Sequence, residues 1–109
     1  MPKYEVQVVL AEREIVFRSE DGTELPCRVR IGSPELRSQR DWVCPYDVSV
    51  GNSRKSFGIY GVDSIQALVL ALRTVDVEIE VRARKLGMKP TWLGEDFNSV
   101  FDPQDVARM

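Results

Sequence analysis

Apolar residues recur every three or four positions between 60 and 87, and only there do start, period and stop agree on one element. Ile65, Leu68, Val69, Leu72, Val75, Ile79, Ala83 and Leu86 make a stripe at helical spacing. Asp63 stands at the N-cap position with Gln66 three residues on, a capping-box pattern, and Gly87 stands where a left-handed residue ends a helix. Residues 64–85 therefore predict a helix of 22 residues, about 33 Å long at 1.5 Å per residue. Arg82, Arg84 and Lys85 suit its negative end, and Glu78–Arg82 and Glu80–Arg84 are favourably ordered pairs one turn apart. Asp76 lies at the edge of the stripe, with Arg73 one turn back as its expected partner. On nearly the opposite side lies a second apolar line of Leu70, Val77 and Val81, with Ala67 and Thr74 between them. Branched, apolar Val gains nothing from facing water on a helix. A helix apolar on two sides calls for two partners. One is the sheet; the other is, with equal weight, the chain's own C-terminal tail or a second copy of the chain.

Upstream of the helix the period falls to two. In 4–10, Val6, Val8 and Leu10 alternate with Glu5 and Gln7, whereas Ile15 and Phe17 occupy odd positions. One strand keeps both sets on one face only if it is kinked by a bulge near 11–13. Glu20-Asp21-Gly22-Thr23 is a turn, and Leu25, Cys27, Val29 and Ile31 then face inward, so 14–31 reads as a hairpin. Pro26 lacks a backbone donor and marks either the start of its strand or a sheet edge. Residues 32–41 read as a loop. A third strand over 42–50 puts Trp42, Cys44, Tyr46, Val48 and Val50 on one face, with Pro45 signalling a bulge or an unpaired side. Gly51-Asn52-Ser53 turns into a short fourth strand holding Phe57 and Ile59. Pro90 follows the helix closely, and 91–93 offers a fifth extended piece. The acidic, Phe-containing residues 95–109 form a tail, docked or partly flexible, or a short last helix starting near Pro103. Strands followed by one long helix give an α+β fold: an antiparallel sheet of four to five strands with the helix packed across one face. The whole is expected to be a single domain, 1–109, with its core over about 4–94.

Composition narrows the chemistry. An apolar share of 43% against 29% charged residues is that of a folded domain. No apolar run is long enough to span a bilayer, and the first residues lack the pattern of a secretory signal, so the chain reads as cytoplasmic with no membrane partner. A net charge of −2 argues against a nucleic-acid partner. The complete lack of histidine removes the commonest general base and metal ligand. No catalytic residue, metal or cofactor is therefore expected. Cys27 and Cys44 fall on inward positions, where Cys behaves as a small buried hydrophobe with a free thiol.

Three surfaces remain as candidates. Gly61 and Asp63 at the helix start, with Arg54 and Lys55 nearby in sequence, could bind an anion through free backbone donors, although a capping Asp63 would occupy those donors itself. The spaced glycines of a nucleotide fingerprint are missing. Trp42 and Tyr46, with Trp92, have the polar-tipped aromatic character of pocket-lining residues. Arg18, Arg28 and Arg30, with Arg13 further along, could present a basic face to an acidic partner, or could pair with Glu14, Glu20 and Glu24 as a solvated face. The second helix line, Leu70, Thr74, Val77 and Val81, is the candidate interface.

Four runs carry a resemblance: Ala11-Glu12-Arg13-Glu14, Asp41-Trp42-Val43-Cys44-Pro45-Tyr46, Tyr60-Gly61-Val62-Asp63-Ser64-Ile65-Gln66-Ala67-Leu68 and Thr91-Trp92-Leu93-Gly94. Their order and spacing resemble a family of small bacterial proteins known only as a domain of unknown function, over about 11–94. The resemblance implies a bacterial, cytoplasmic origin and brings no activity, cofactor or catalytic residue. The reading that results is a non-enzymatic protein-interaction module of immunity, adaptor or regulatory type, working on another protein or as a homodimer. The alternative is a small-ligand or anion-binding domain built on the helix N-terminus and the Trp42/Tyr46 region.

Overall fold

The computed structural model describes residues 4–101. In chain order the elements are β1 (Val9–Arg18), β2 (Glu24–Gly32), β3 (Glu35–Leu36), β4 (Trp42–Val50), β5 (Ser53–Gly61), α1 (Ser64–Leu86), β6 (Lys89–Trp92) and β7 (Glu95–Asp96). The fold is α+β, one helix packed on an antiparallel sheet of seven strands. Four to five strands was an undercount. β3 and β7 are two-residue strands, too short for any periodicity, and β3 falls within the stretch that reads as a loop.

β4 organises the sheet. β5 pairs with it along its whole length, from Trp42↔Gly61 to Val50↔Ser53. Its other side is shared by β2, against Tyr46–Val50, and β3, against Trp42 and Val43. Pro45 sits in the gap between those two pairings, so its missing donor costs no ladder bond. β1 lies outside β2, followed by β6 and β7. Pro26 is a correction: β2 begins at Glu24 and is an interior strand. The proline is tolerated because the β4 ladder ends at Cys27↔Val50, and just beyond it the Pro26 carbonyl accepts the Gly51 N–H at 2.9 Å. The register shift of β1 falls between Val9 and Ala11, slightly earlier than expected. Ahead of it, residues 4–8 form no strand: Val6 is buried, while Val8 and Leu10 are exposed.

The alternation in the long strands sets the core. Ile15, Phe17, Cys27, Val29, Ile31, Cys44, Tyr46, Val48 and Val50 meet the helix as the sequence predicts. The helix has the predicted caps, with Asp63 extended at the N-cap and Gly87 left-handed at φ 66°. It is turned about its axis relative to the expected stripe. The buried line is Ala67, Ala71, Val75, Ile79, Arg82 and Ala83, whereas Ile65 and Leu86 at the two ends are exposed. Small Ala67 and Ala71 let the helix backbone come close to the sheet, so Ala67 belongs to the core and not to the second apolar line.

The tail docks through its first residues. Phe97 is buried, and Asp76 accepts from the Ser99 hydroxyl at 2.6 Å and the Val100 N–H at 2.9 Å. Those donors, rather than Arg73, satisfy the half-buried carboxylate. The expected last helix near Pro103 lies outside the described residues. Among the described residues no helix is long and apolar enough to cross a membrane.

Candidate functional site

The helix start is closed by its own residues. Asp63 Oδ1 accepts the Gln66 N–H at 2.7 Å, and Gln66 Oε1 accepts the Val62 N–H at 2.8 Å. Gly61 serves the approach of the helix: a Cβ there would lie 2.5 Å from the Ala67 nitrogen and 2.9 Å from its Cα. Trp42, paired with Gly61, shares this end with Asp63, while Arg54 and Lys55 pair with Ser49 and Val48 at the opposite end of β5. The strand between Lys55 and Gly61 is about 20 Å long at 3.3 Å per residue. The structure thus brings Trp42, Gly61 and Asp63 together and leaves the basic pair remote from them. Tyr46 is in neither group. It lies opposite Phe57 at mid-strand, with their rings stacked 5.1 Å apart.

Tyr46 instead joins the second helix face. A cavity of about 360 Å³ opens between β5 and α1, lined by Tyr46, Phe57, Ile59, Thr74, Val77 and Glu78 among others. Burial, with the Glu78 charge adding to it, pushes the Tyr46 phenol up to about 12. Along the rim Val77 is 58% and Leu70 37% exposed, and the Thr74 hydroxyl donates to the Leu70 carbonyl at 2.7 Å. Val81 is partly buried. As far as Phe101 the tail binds Asp76 and leaves Leu70 and Val77 open. Among the described residues β5 has no strand beyond it, so a nine-residue sheet edge borders the same cavity. A larger hollow of about 540 Å³ lies by Glu14, Pro26, Cys27, Arg28 and Ser49 and takes in Arg28 alone of the candidate basic face.

Residues 11–101 match a family described as domain of unknown function DUF6968. The chain belongs to this family. No curated protein and no solved structure gives a significant match. The match extends past the expected limit near Gly94 and takes in Phe97 and Val100, the part of the tail that docks. The β5 edge and the outer line of α1 both lie inside the DUF6968 span.

The other candidates in this DUF6968 chain resolve into packing and pairing. Arg28 bonds Glu14 at 2.5 Å and Arg18 bonds Glu24 at 2.6 Å, which makes the solvated mixed-charge face. Arg30 makes a two-pronged pair with Asp47, at 3.0 and 2.6 Å, and the Asp47 carboxylate is fully buried. Arg13 lies on the other face, its guanidinium 3.9 Å from the Trp92 ring centre. Cys27 and Cys44 are free and buried, and burial pushes their thiols up to about 12 and about 11. Among the described residues no group of three or more His, Cys, Asp or Glu is placed to hold a metal ion.

Sequence reasoning missed Arg82. It is not the partner of Glu78; it is buried under the β4–β5 hairpin and donates to the Val48 carbonyl at 2.6 Å and the Ser53 carbonyl at 3.1 Å. Its position on the core side of the helix, between Ile79 and Ala83, was the available signal. Glu80–Arg84 forms as expected, at 2.5 Å.

Proposed function

We propose that this DUF6968 chain is a non-enzymatic protein-interaction module of immunity, adaptor or regulatory type in a bacterial cytoplasm. Its working surface is the β5 edge together with the outer line of α1. One observation carries the reading: a nine-residue edge strand, with no strand beyond it among the described residues and the Tyr4 ring packed on Gly58 and Tyr60, and an exposed apolar helix line border the same cavity. An open edge offers backbone donors and acceptors to an added strand. Strand addition draws affinity from those groups and specificity from side-chain pockets beside them, which here would be the space over Phe57, Ile59 and Val77. Arg54 and Lys55, both exposed, stand at one end of the edge and oppose indiscriminate pairing.

The test is photo-crosslinking in the native host from an unnatural side chain at Ser56 or Val77, with Glu20 in the β1–β2 turn as the control position. Discrete protein adducts from Ser56 and Val77 and none from Glu20 are expected. Absence of adducts from both surface positions would overturn the reading.

A further inference from the structure

We propose that the occupant of this surface is a second copy of the chain, related by a two-fold axis that passes beside Phe57 and joins the two sheets edge to edge. The proposal rests on the interaction-module reading and names its partner.

The first argument is the phase of the edge. Gly51 and Asn52 form a two-residue turn closed by Val50↔Ser53. In such a hairpin the closing pair exchanges backbone bonds, and bonded pairs then alternate along the ladder. Ser53, Lys55, Phe57, Ile59 and Gly61 accordingly direct their backbone groups at β4. Arg54, Ser56, Gly58 and Tyr60 direct theirs at the open edge, and none of the four is proline. An antiparallel copy centred on Phe57 sets Ser56 against Gly58 and Arg54 against Tyr60. All four are used, and Phe57 meets its equivalent as a close, non-bonded pair. A two-fold centred on Arg54 or on Lys55 would instead set that cation against its own equivalent.

The second argument is distance. The helix packs against β4 and β5, the two strands nearest the open edge, and far less against β2. A two-fold beside β5 would therefore bring the two helices side by side on one face of the joined sheet, where neighbouring helices pack about 8–10 Å apart. A helix centred over β2 would stand too far from its equivalent to touch it.

The third argument is self-complementarity. Leu70, Thr74, Val77 and Val81 are spaced four, three and four residues apart, the seam of a coiled coil. A two-fold at its centre places Leu70 opposite Val81 and Thr74 opposite Val77 of the second copy. Thr74 and Val77 line the same cavity as Phe57. The centre of the helix seam and the centre of the strand register therefore fall at one place, which a single two-fold requires.

Sedimentation equilibrium on the full chain at micromolar concentration tests this. The wild type should be a dimer. Val77→Arg puts two like charges at the seam and should raise the dissociation constant roughly a hundredfold or more. Ser56→Pro removes an edge donor and should also give monomer, and circular dichroism checks that each variant is folded. A monomeric wild type, or a dimer indifferent to both Val77→Arg and Ser56→Pro, would overturn the proposal. The crosslinking experiment separates the two readings. Adducts with another protein alone would sink the second-copy proposal and leave the module reading standing, whereas no adduct at all would sink the module reading itself.

Discussion

Replacing Arg82 with Met should destabilise the fold by about 3 kcal/mol, the net of two lost charged hydrogen bonds and a relieved desolvation penalty. The guanidinium is buried, donates to Val48 and Ser53 carbonyls at 2.6 and 3.1 Å, and has no carboxylate partner among the described residues. Hydrogen bonds to a charged group contribute about 1.5–3 kcal/mol each, so the gross loss is roughly 3–6 kcal/mol. Part of this is offset because Met need not be stripped of a hydration shell, and its chain keeps most of the packing of the Arg stem. The bonds tie helix α1 to the β4–β5 hairpin, so the loss is felt by the whole two-layer contact. Urea unfolding followed by the fluorescence of Trp42 and Trp92 measures it, and heat should melt the variant about 12–24 °C lower at 4–8 °C per kcal/mol. Arg82→Lys should recover part of the loss, since an ammonium reaches the carbonyls as a point charge without the planar fork. A Met variant within about 0.5 kcal/mol of wild type would refute the reasoning, because the cost of burying the guanidinium would then cancel its bonds.

Arg30→Met leaves the buried Asp47 carboxylate without its cation and should cost about 3–5 kcal/mol in the same urea assay. Replacing Asp47 by Leu in that background should recover most of the loss. Gly61→Ala drives a Cβ to 2.5 Å from the Ala67 backbone nitrogen and should destabilise by about 1–3 kcal/mol. Gly58→Ala meets the movable Tyr4 ring and should cost less in a parallel melt. The native thiols of Cys27 and Cys44, raised by burial from 9.0 to about 12 and about 11, should resist thiol reagents at pH 9 and label only on unfolding. An acid raised in the folded state lends stability below its unfolded value. Urea midpoints should therefore fall as pH rises from 9 towards 11–12, and Cys→Ala variants should flatten that fall.

What could be read from the chain divides along the range of the interactions. Asp63, Gln66 and Gly87 act within one turn, and the caps they predict are the caps observed. Period-two alternation fixed the inward residues of the long strands because each presents one face to a helix. The rotation of the helix escaped because Ala67 and Ala71, which define the contact, carry little apolar signal, while the bulkier Ile65 and Leu86 overhang its ends. Asp76 finds its partners 23 and 24 residues downstream, and Arg82 finds its own 34 and 29 residues upstream, separations at which no spacing rule applies. Of the candidate site residues, the sequence could place Leu70, Thr74, Val77 and Val81 on one line. It could not show that Tyr46 and Phe57 lie beneath that line, since this depends on β5 being an edge.

The two edges of the sheet are treated differently, and the difference bears on what β5 is for. β7 is two acidic residues, Glu95 and Asp96, an edge blunted by shortness and charge. β5 offers nine residues, with its cations Arg54 and Lys55 confined to the hairpin end and Ser56 to Tyr60 uncharged. Cations across the middle would repel a second copy in every antiparallel register centred there. Charges at one end repel only those antiparallel registers in which that end meets itself, and they leave the register centred on Phe57 open, with Lys55 opposite Ile59. In the proposed dimer Arg54 and Lys55, candidates for an anion site by their place in the sequence, would instead select the strand register. Lys55→Glu provides the contrast. It should tolerate the Phe57-centred dimer, because no cation faces it there, whereas loss of dimer in that variant would show that Lys55 itself holds a partner's acidic group.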